Sequence, residues 1–258
     1  MPTCRYCSKE VPKLTKQSHI VPKWMYEGIF NDEKGRAFRP DPKTRIMVPV
    51  QDGIWRSFLC QNCEEMFGKD DTSASNLLTA KNPTFKQKKS LVIEDLNPGI
   101  LAAERVERWS GINFRELQKF VFGVLLRQCY GSFEGEEPCL IGEYLLEIRR
   151  RYEDELILDD AVYPIAISRL VVDGFETGVR MPVLQNWVDF GVMVFMGGGY
   201  VFQVYVPSHD LPPGTMDVRL RTNGSIFVKY INYKDVPWFK LFDDLEILTY
   251  RWSRKKQG

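Results

Sequence analysis

The sequence has little histidine and no long apolar segment. His19 and His209 are its only two histidines in 258 residues, and it contains no apolar run of about 18 residues, the length that a membrane-spanning helix requires. The first residues are polar and include two cysteines, unlike the apolar core of a secretory signal peptide. We therefore expect a cytoplasmic protein with no membrane partner, and we interpret His209 as a solvent-facing loop residue.

Cysteine is also scarce, but its placement is informative. Four of the six cysteines form two Cys-x2-Cys pairs, Cys4 with Cys7 and Cys60 with Cys63. Each pair has the spacing of a zinc knuckle, in which a tight turn lets two thiolates bind one cation. Two knuckles complete a closed tetrahedral site, so we predict a structural Zn²⁺ held by all four, with separate free thiols as the alternative.

Charge is balanced overall but not along the chain. Residues 1–92 contain 16 Lys and Arg against 10 Asp and Glu, and residues 93–258 contain 19 against 24, so a net +6 precedes a net −5. A basic part beside an acidic remainder is typical of a polyanion-binding unit on a separate scaffold, although solvated surfaces also differ in charge by chance.

A basic cluster lies in the polar stretch 68–99, which we interpret as a linker or arm. It consists of Lys81, Lys86, Lys88 and Lys89. We expect these lysines to bind nucleic acid by neutralising its phosphates, with a solvated linker as the alternative.

The order of predicted elements indicates the α+β class. Residues 1–67 are predicted to form a small zinc-bound unit of turns and short strands. Asn113 and Glu116 form a capping-box start to an apolar stripe, which predicts a helix over 114–129. A second helical segment opens at Pro138, so the two are expected to pack as a helical hairpin. Cys129 and Cys139 have no partner at knuckle spacing and are interpreted as buried thiols.

Beyond residue 163 the sequence predicts an antiparallel, β-rich domain. The segments YPIAISRLVV, WVDFGVMVF and YVFQVYV predict strands, MGGGY predicts a hairpin turn, and MDVRLRTNGSIFVKYI predicts a hairpin that turns at Asn223 and Gly224. We divide the chain into a zinc-binding module with its basic arm, residues 1–95, and an α+β domain, residues 96–258.

Two motifs in the first module resemble a known family. SHIVPKW, after the first cysteine pair, and QDGIWRSFLCQNCEEMF, around the second, look like the zinc-stapled form of the HNH (ββα-metal) nuclease superfamily. They are most similar to a little-characterised bacterial branch whose second knuckle also ends in Cys-Glu, and FVFGVLLRQCYG resembles an apolar helix of that branch. The resemblance covers residues 4–70 and implies an HNH-like head.

The resemblance implies roles for three residues. His19 would be a general base that removes a proton from the water attacking a phosphodiester. Ser18 and Glu64 would hold a catalytic Mg²⁺ or Mn²⁺. This sequence departs from the family at Ser18, where an acid or a histidine is usual, and it lacks the asparagine that often precedes the second knuckle. Four further acids could complete the metal shell: Asp52, Glu65, Asp70 and Asp71.

Three functions are compatible with these features. The resemblance implies a metal-dependent nuclease that cleaves DNA, of a kind that often serves restriction or phage defence. The alternatives are an inactive zinc module that binds DNA or RNA, and an assembly protein whose C-terminal domain forms a homo-oligomer or binds a protein partner.

Four aromatic residues of the first module have two interpretations. They are Trp24, Trp55, Phe58 and Phe67. They could stack on nucleobases, or they could form a small core around the zinc, which is the favoured interpretation in so small a unit.

Overall fold

The computed structural model describes residues 1–26, 37–40, 47–50, 53, 55–79, 91–98, 105–132, 144–154, 159–171, 180–186, 191–206, 211 and 214–232. The strands are β1 Ser18–His19, β2 Ala37–Pro40, β3 Met47–Val50, β4 Trp55–Arg56, β5 Val92–Asp95, β6 Val106–Ser110, β7 Ile165–Val171, β8 Arg180–Asn186, β9 Gly191–Gly197, β10 Tyr200–Val206 and β11 Ile226–Asn232. The helices are α1 Gln61–Leu78, α2 Phe114–Gly131, α3 Leu145–Glu153 and α4 Thr215–Val218, with a 3₁₀ turn at Lys23–Tyr26. The predicted α+β class is confirmed.

The N-terminal part consists of short paired strands followed by a long helix. β1 pairs with β4 in antiparallel register, β2 pairs with β3, and α1 begins directly after Cys60. The predicted linker from residue 68 is wrong over its first turns, because α1 continues to Leu78. The helix buries only a narrow stripe that includes Phe67 and Ala74, which is why its sequence appears polar.

Seven strands form one mixed sheet in the order β5-β6-β11-β7-β10-β9-β8. Neighbouring strands are antiparallel except β11 and β7, which are parallel, so the expected antiparallel sheet is wrong at this pair. β10 ends beside the start of β7. β11 begins at that same end of the sheet. It therefore runs in the same direction as β7.

The two predicted hairpin turns have different outcomes. β9 and β10 are joined at Gly198 and Gly199, both with positive φ, as MGGGY predicted. The hairpin predicted around Asn223 and Gly224 is wrong, because β11 pairs with β6 and β7, and a helical turn, α4, precedes it. The tight turn itself is present, and it contacts the chain before α2, where the Ile112 amide donates to the Gly224 carbonyl at 3.0 Å.

The helical region agrees with the prediction at its start. The Asn113 side chain accepts a hydrogen bond from the Glu116 amide at 3.3 Å and donates one to the Glu116 carboxylate at 2.9 Å, so α2 is capped as expected. α3 packs beside α2, and the part of its predicted segment between 138 and 143 lies outside the described residues.

α2 lies at the centre of the hydrophobic core. Phe120 contacts Phe195 and Phe202 of the sheet, whereas Gly123 and Gly131 let Phe67 and Phe58 of the N-terminal part approach closely. One cluster of buried residues therefore continues from the first knuckle to the sheet. The division at residue 95 stays a prediction; it falls at the end of β5, whose partner β6 lies in the second part. In the part of the chain that the structure describes, no helix is long and apolar enough to cross a membrane.

Candidate metal centre and the strand pair of His19

The four predicted zinc ligands lie together. The sulfur atoms of Cys4, Cys7, Cys60 and Cys63 are all within 4.8 Å of one another, and the Cys7 and Cys60 sulfurs are 3.9 Å apart. A tetrahedral zinc with bonds of about 2.3 Å places its sulfur ligands about 3.8 Å apart. The cluster therefore fits a metal ion such as zinc, and the four thiols are not separate.

The local backbone structure of the two knuckles orients the four sulfur atoms toward one point. The first knuckle is a turn closed by the bond from the Cys4 amide to the Lys9 carbonyl, 2.9 Å, and by a bridge between Thr3 and Glu10. The second knuckle is the start of α1, with Cys60 at the N-cap. The amide of Cys60 donates to the Cys4 sulfur at 3.3 Å, which connects the two knuckles directly.

The thiols differ in acidity because they share one small volume. Burial raises the pKa of Cys4, but hydrogen bonds from the backbone of Cys7 and Cys60 outweigh it and lower that pKa to about 7. Burial raises the pKa of Cys63, as do the neighbouring thiols. The Cys4 thiolate is thus favoured by the protein alone, whereas Cys7 and Cys63, whose pKa values are raised by burial, need the positive charge of a cation to ionise.

Ser8 is the strained position of the first knuckle. It follows Cys7 and has φ of 58°, a left-handed conformation that glycine adopts without steric cost. Ser8→Gly is expected to raise the free energy of unfolding by about 0.5–1 kcal/mol, measured by chemical denaturation of the zinc-loaded protein. Ser8→Ala keeps the strain and is the matched control. Equal stability of Ser8→Gly and Ser8→Ala would contradict this explanation.

Cys129 differs from its prediction. It is disulfide-bonded, whereas the four cysteines of the cluster are free. The interpretation of Cys129 as a thiol is therefore wrong, and Cys139 lies outside the described residues. Cysteine spacing could not reveal this bond, because it carries no signal for a pair outside a knuckle.

The strand pair β1–β4 contains the first two residues of the SHIVPKW motif, Ser18 and His19. Ser18 is fully buried, and its hydroxyl shares a 2.6 Å hydrogen bond with the hydroxyl of Thr15. The Glu64 carboxylate, in the first turn of α1, lies close enough to both hydroxyls for them to lower its pKa. The structure thus brings together Ser18 and Glu64, the two residues predicted to hold a catalytic metal.

Glu64 has the environment of a partly desolvated carboxylate. Burial raises its pKa, and the hydrogen bonds from Ser18 and Thr15 and the charge of Arg127 oppose that rise. Its Oε2 atom is buried without a hydrogen-bond partner among the described residues. A carboxylate oxygen with free lone pairs is the kind of ligand that Mg²⁺ and Mn²⁺ take.

His19 lies on the other face of the strand pair. Successive side chains of a strand point to opposite faces, so His19 faces away from Ser18. Its cross-strand partner is Trp55, and residues directly opposite in an antiparallel pair share one face. His19 is half-buried.

The acids proposed to complete the metal shell have other partners. Asp71 accepts two hydrogen bonds of 2.7 Å from Arg127, Asp70 accepts one from the Tyr152 hydroxyl, and Glu65 accepts one from Gln61. Asp52 lies outside the described residues, as do His209 and the four lysines, Lys81, Lys86, Lys88 and Lys89. Their predicted roles stay predictions.

Arg127 is the residue near the site that the sequence analysis gave no role. It is buried on α2, forms the two-bond ion pair with Asp71 of α1, and lies 5.4 Å from the centre of the Phe67 ring. Burial disfavours its charge, but Asp71 more than offsets this, so the pKa of Arg127 is raised. The signal in the sequence was an arginine on the apolar face of a helix, three residues after Val124.

Removing Arg127 is expected to be costly. Arg127→Met leaves the Asp71 carboxylate half-desolvated without its counter-charge, so the free energy of unfolding is expected to fall by about 3–5 kcal/mol. Chemical denaturation measures this change. Arg150→Met is the matched control, because Arg150 pairs with Glu147 at the exposed surface and is expected to contribute little. A similar fall in the free energy of unfolding in both variants would show that burial does not determine how much an ion pair contributes to stability.

Comparison with known proteins gives no match: no family model fits the chain, and no curated protein or solved structure is significantly similar to it. The similarity to HNH nucleases therefore rests on the quoted motifs. The four-cysteine cluster is the part of that similarity which the structure supports.

Proposed function

We propose that this protein is an HNH-like, metal-dependent nuclease that hydrolyses phosphodiester bonds in DNA. The observation that carries the proposal is the arrangement around α1. The four-cysteine cluster fastens the first knuckle to the start of the helix, and the strand pair β1–β4 lies beside it with Ser18 against Glu64. Two paired strands followed by a helix, with a histidine in the first strand, are what the resemblance to the ββα-metal family implies.

The residues have separate roles in this proposal. The cysteine cluster holds a structural Zn²⁺, which fastens the two knuckles to each other. His19 accepts the proton of the attacking water, because a neutral imidazole has its pKa near physiological pH. Ser18 and Glu64, whose Oε2 atom has no hydrogen-bond partner among the described residues, would hold Mg²⁺ or Mn²⁺, which supplies positive charge to the phosphate when bound. Because they lie on the face of the strand pair opposite His19, one phosphate would reach both the ion and the base only if the strand pair rearranges on binding. Restriction or phage defence is the biological setting that the resemblance suggests.

Cleavage of supercoiled plasmid DNA tests the proposal. The zinc-loaded full chain is incubated with the plasmid in the presence of Mg²⁺, of Mn²⁺ or of neither ion. Relaxed or linear DNA is expected only with one of the two ions. An intact plasmid under all conditions, from protein that is folded and zinc-loaded, would contradict a DNA nuclease.

A second function is favoured by the burial of Ser18. Its hydroxyl is fully buried and bonded to Thr15, and hydroxyls are weaker ligands for hard cations than carboxylates. This favours a zinc module that binds DNA or RNA without cutting it. Salt-sensitive binding of nucleic acid without cleavage would identify that function. Oligomerisation or partner binding by residues 96–258 stays a prediction.

A further inference from the structure

Trp55 differs in exposure from the other aromatic residues near the cysteine cluster. Phe58 and Phe67 are buried, and the Trp24 ring packs against Phe120 of α2. Trp55 is 37% exposed and is the only exposed aromatic residue among those whose side-chain burial the structure describes. The structure thus separates the four aromatic residues that the sequence could not: three belong to the core, and one remains available at the surface.

The position of Trp55 is as important as its exposure. It lies directly across from His19 in the β1–β4 pair, so the two side chains share a face with their β-carbons about 4.5–5.5 Å apart. The next residue, Arg56, is held close by a 3.0 Å bond from its guanidinium to the Trp55 carbonyl. A flat apolar ring, an imidazole and a positive charge therefore occur within one pair of two-residue strands.

We propose that Trp55 is a stacking site for an unpaired nucleobase of DNA, next to the phosphate that His19 acts on. The proposal rests on the nuclease function and adds a substrate class to it. Every nucleobase has a π-face that an indole can cover, whereas the sugar and the phosphate have none. The net +6 of residues 1–92 attracts a polyanion to this part of the chain.

Stacking on Trp55 selects for unpaired bases. In a duplex both faces of each base are covered by its neighbours, and exposing one costs unstacking and unpairing energy. A base in a single strand, a gap or a flap does not require this cost. The protein is therefore expected to bind and cut DNA with unpaired bases in preference to an intact duplex.

Binding measurements in a non-cleaving background test the stacking site. The full chain carrying His19→Ala is titrated onto a fluorescent oligonucleotide of mixed sequence, either single-stranded or annealed to its complement, and anisotropy is recorded. Adding Trp55→Ala is expected to weaken single-strand binding about 5- to 150-fold, which corresponds to the loss of one stacked base. Trp55→Phe keeps a stacking ring and is expected to retain most of the affinity. Duplex binding is expected to be unchanged in both.

A control variant and the plasmid cleavage test distinguish a failure of the stacking site from a failure of the nuclease function. Leu146→Ala removes an exposed apolar side chain of α3 and is expected to leave single-strand binding unchanged. Unaltered binding by Trp55→Ala, an equal loss on duplex, or a loss on RNA but not on DNA would each overturn the proposal. If no DNA is ever cut but Trp55→Ala selectively loses single-strand binding, the stacking site stands and the nuclease function falls.

Discussion

Cys60→Ser is expected to abolish zinc binding and to unfold the N-terminal part of the protein. Cys60 supplies a sulfur, occupies the N-cap position of α1 without a side-chain capping bond, and donates its backbone amide to the Cys4 sulfur. The substitution removes the sulfur ligand and leaves the backbone amide in place. A structural zinc contributes about 10–16 kcal/mol to the folding of a small knuckle, as much as the total stability of a typical domain, about 5–15 kcal/mol.

Zinc content and thermal melting measure this effect together. We expect the wild-type protein to contain one zinc per chain, and Cys60→Ser to contain little and to melt at a much lower temperature. Gln61→Ala is the matched control, because Gln61 is the first residue of α1, is exposed, and its side chain donates a hydrogen bond to Glu65. Wild-type protein that is free of metal and melts like Cys60→Ser would contradict a structural zinc.

His19→Ala is expected to slow DNA cleavage by about 10²- to 10⁴-fold, the contribution that a general base typically makes. Because His19 lies on the face of β1 opposite Ser18 and Glu64, its removal should leave the buried contacts of that pair intact. Zinc content, melting temperature and affinity for DNA are therefore expected to remain at wild-type values. The effect should be confined to the rate of the chemical step.

The second histidine gives this experiment its control. His209→Ala is expected to cut DNA at the wild-type rate, since nothing in the sequence assigns that residue a role. Single-turnover cleavage of a labelled substrate compares the three proteins at saturating metal. If His19→Ala instead loses zinc or stability, the imidazole is structural, and the protein is better described as a zinc module that does not catalyse.

The parts of the structure that the sequence predicted correctly depend on local chemistry. Two thiols in a Cys-x2-Cys turn already point the same way, so the cluster could be inferred from the spacing of Cys4, Cys7, Cys60 and Cys63. The cap at Asn113 and the glycine turn after β9 also involve only residues close in sequence. Within each cysteine pair, in the cap and in the turn, a few neighbouring residues determine the geometry, and the joining of the two pairs was inferred from the four ligands that zinc requires.

The errors come from contacts between distant residues. Arg127 and Asp71 are 56 residues apart, and either residue alone is an ordinary charge. The strand β11 could pair with the segment before it or with β6 and β7, and only the packed sheet decides between these options. Around the candidate site, the family resemblance predicted that Ser18 and Glu64 lie together. The exposure of Trp55 beside His19 is visible only in the three-dimensional structure.

The location of β11 also affects how the protein can be made. This strand is late in the chain but lies in the interior of the sheet, between β6 and β7. While the ribosome synthesises the protein, β5 and β6 can pair early, and β7 to β10 can pair later. These two pieces become one sheet only after residue 232 has left the exit tunnel. Until then, the facing edges of β6 and β7 are open to strands of other nascent chains, so this is the stage at which a chaperone would have most effect on yield.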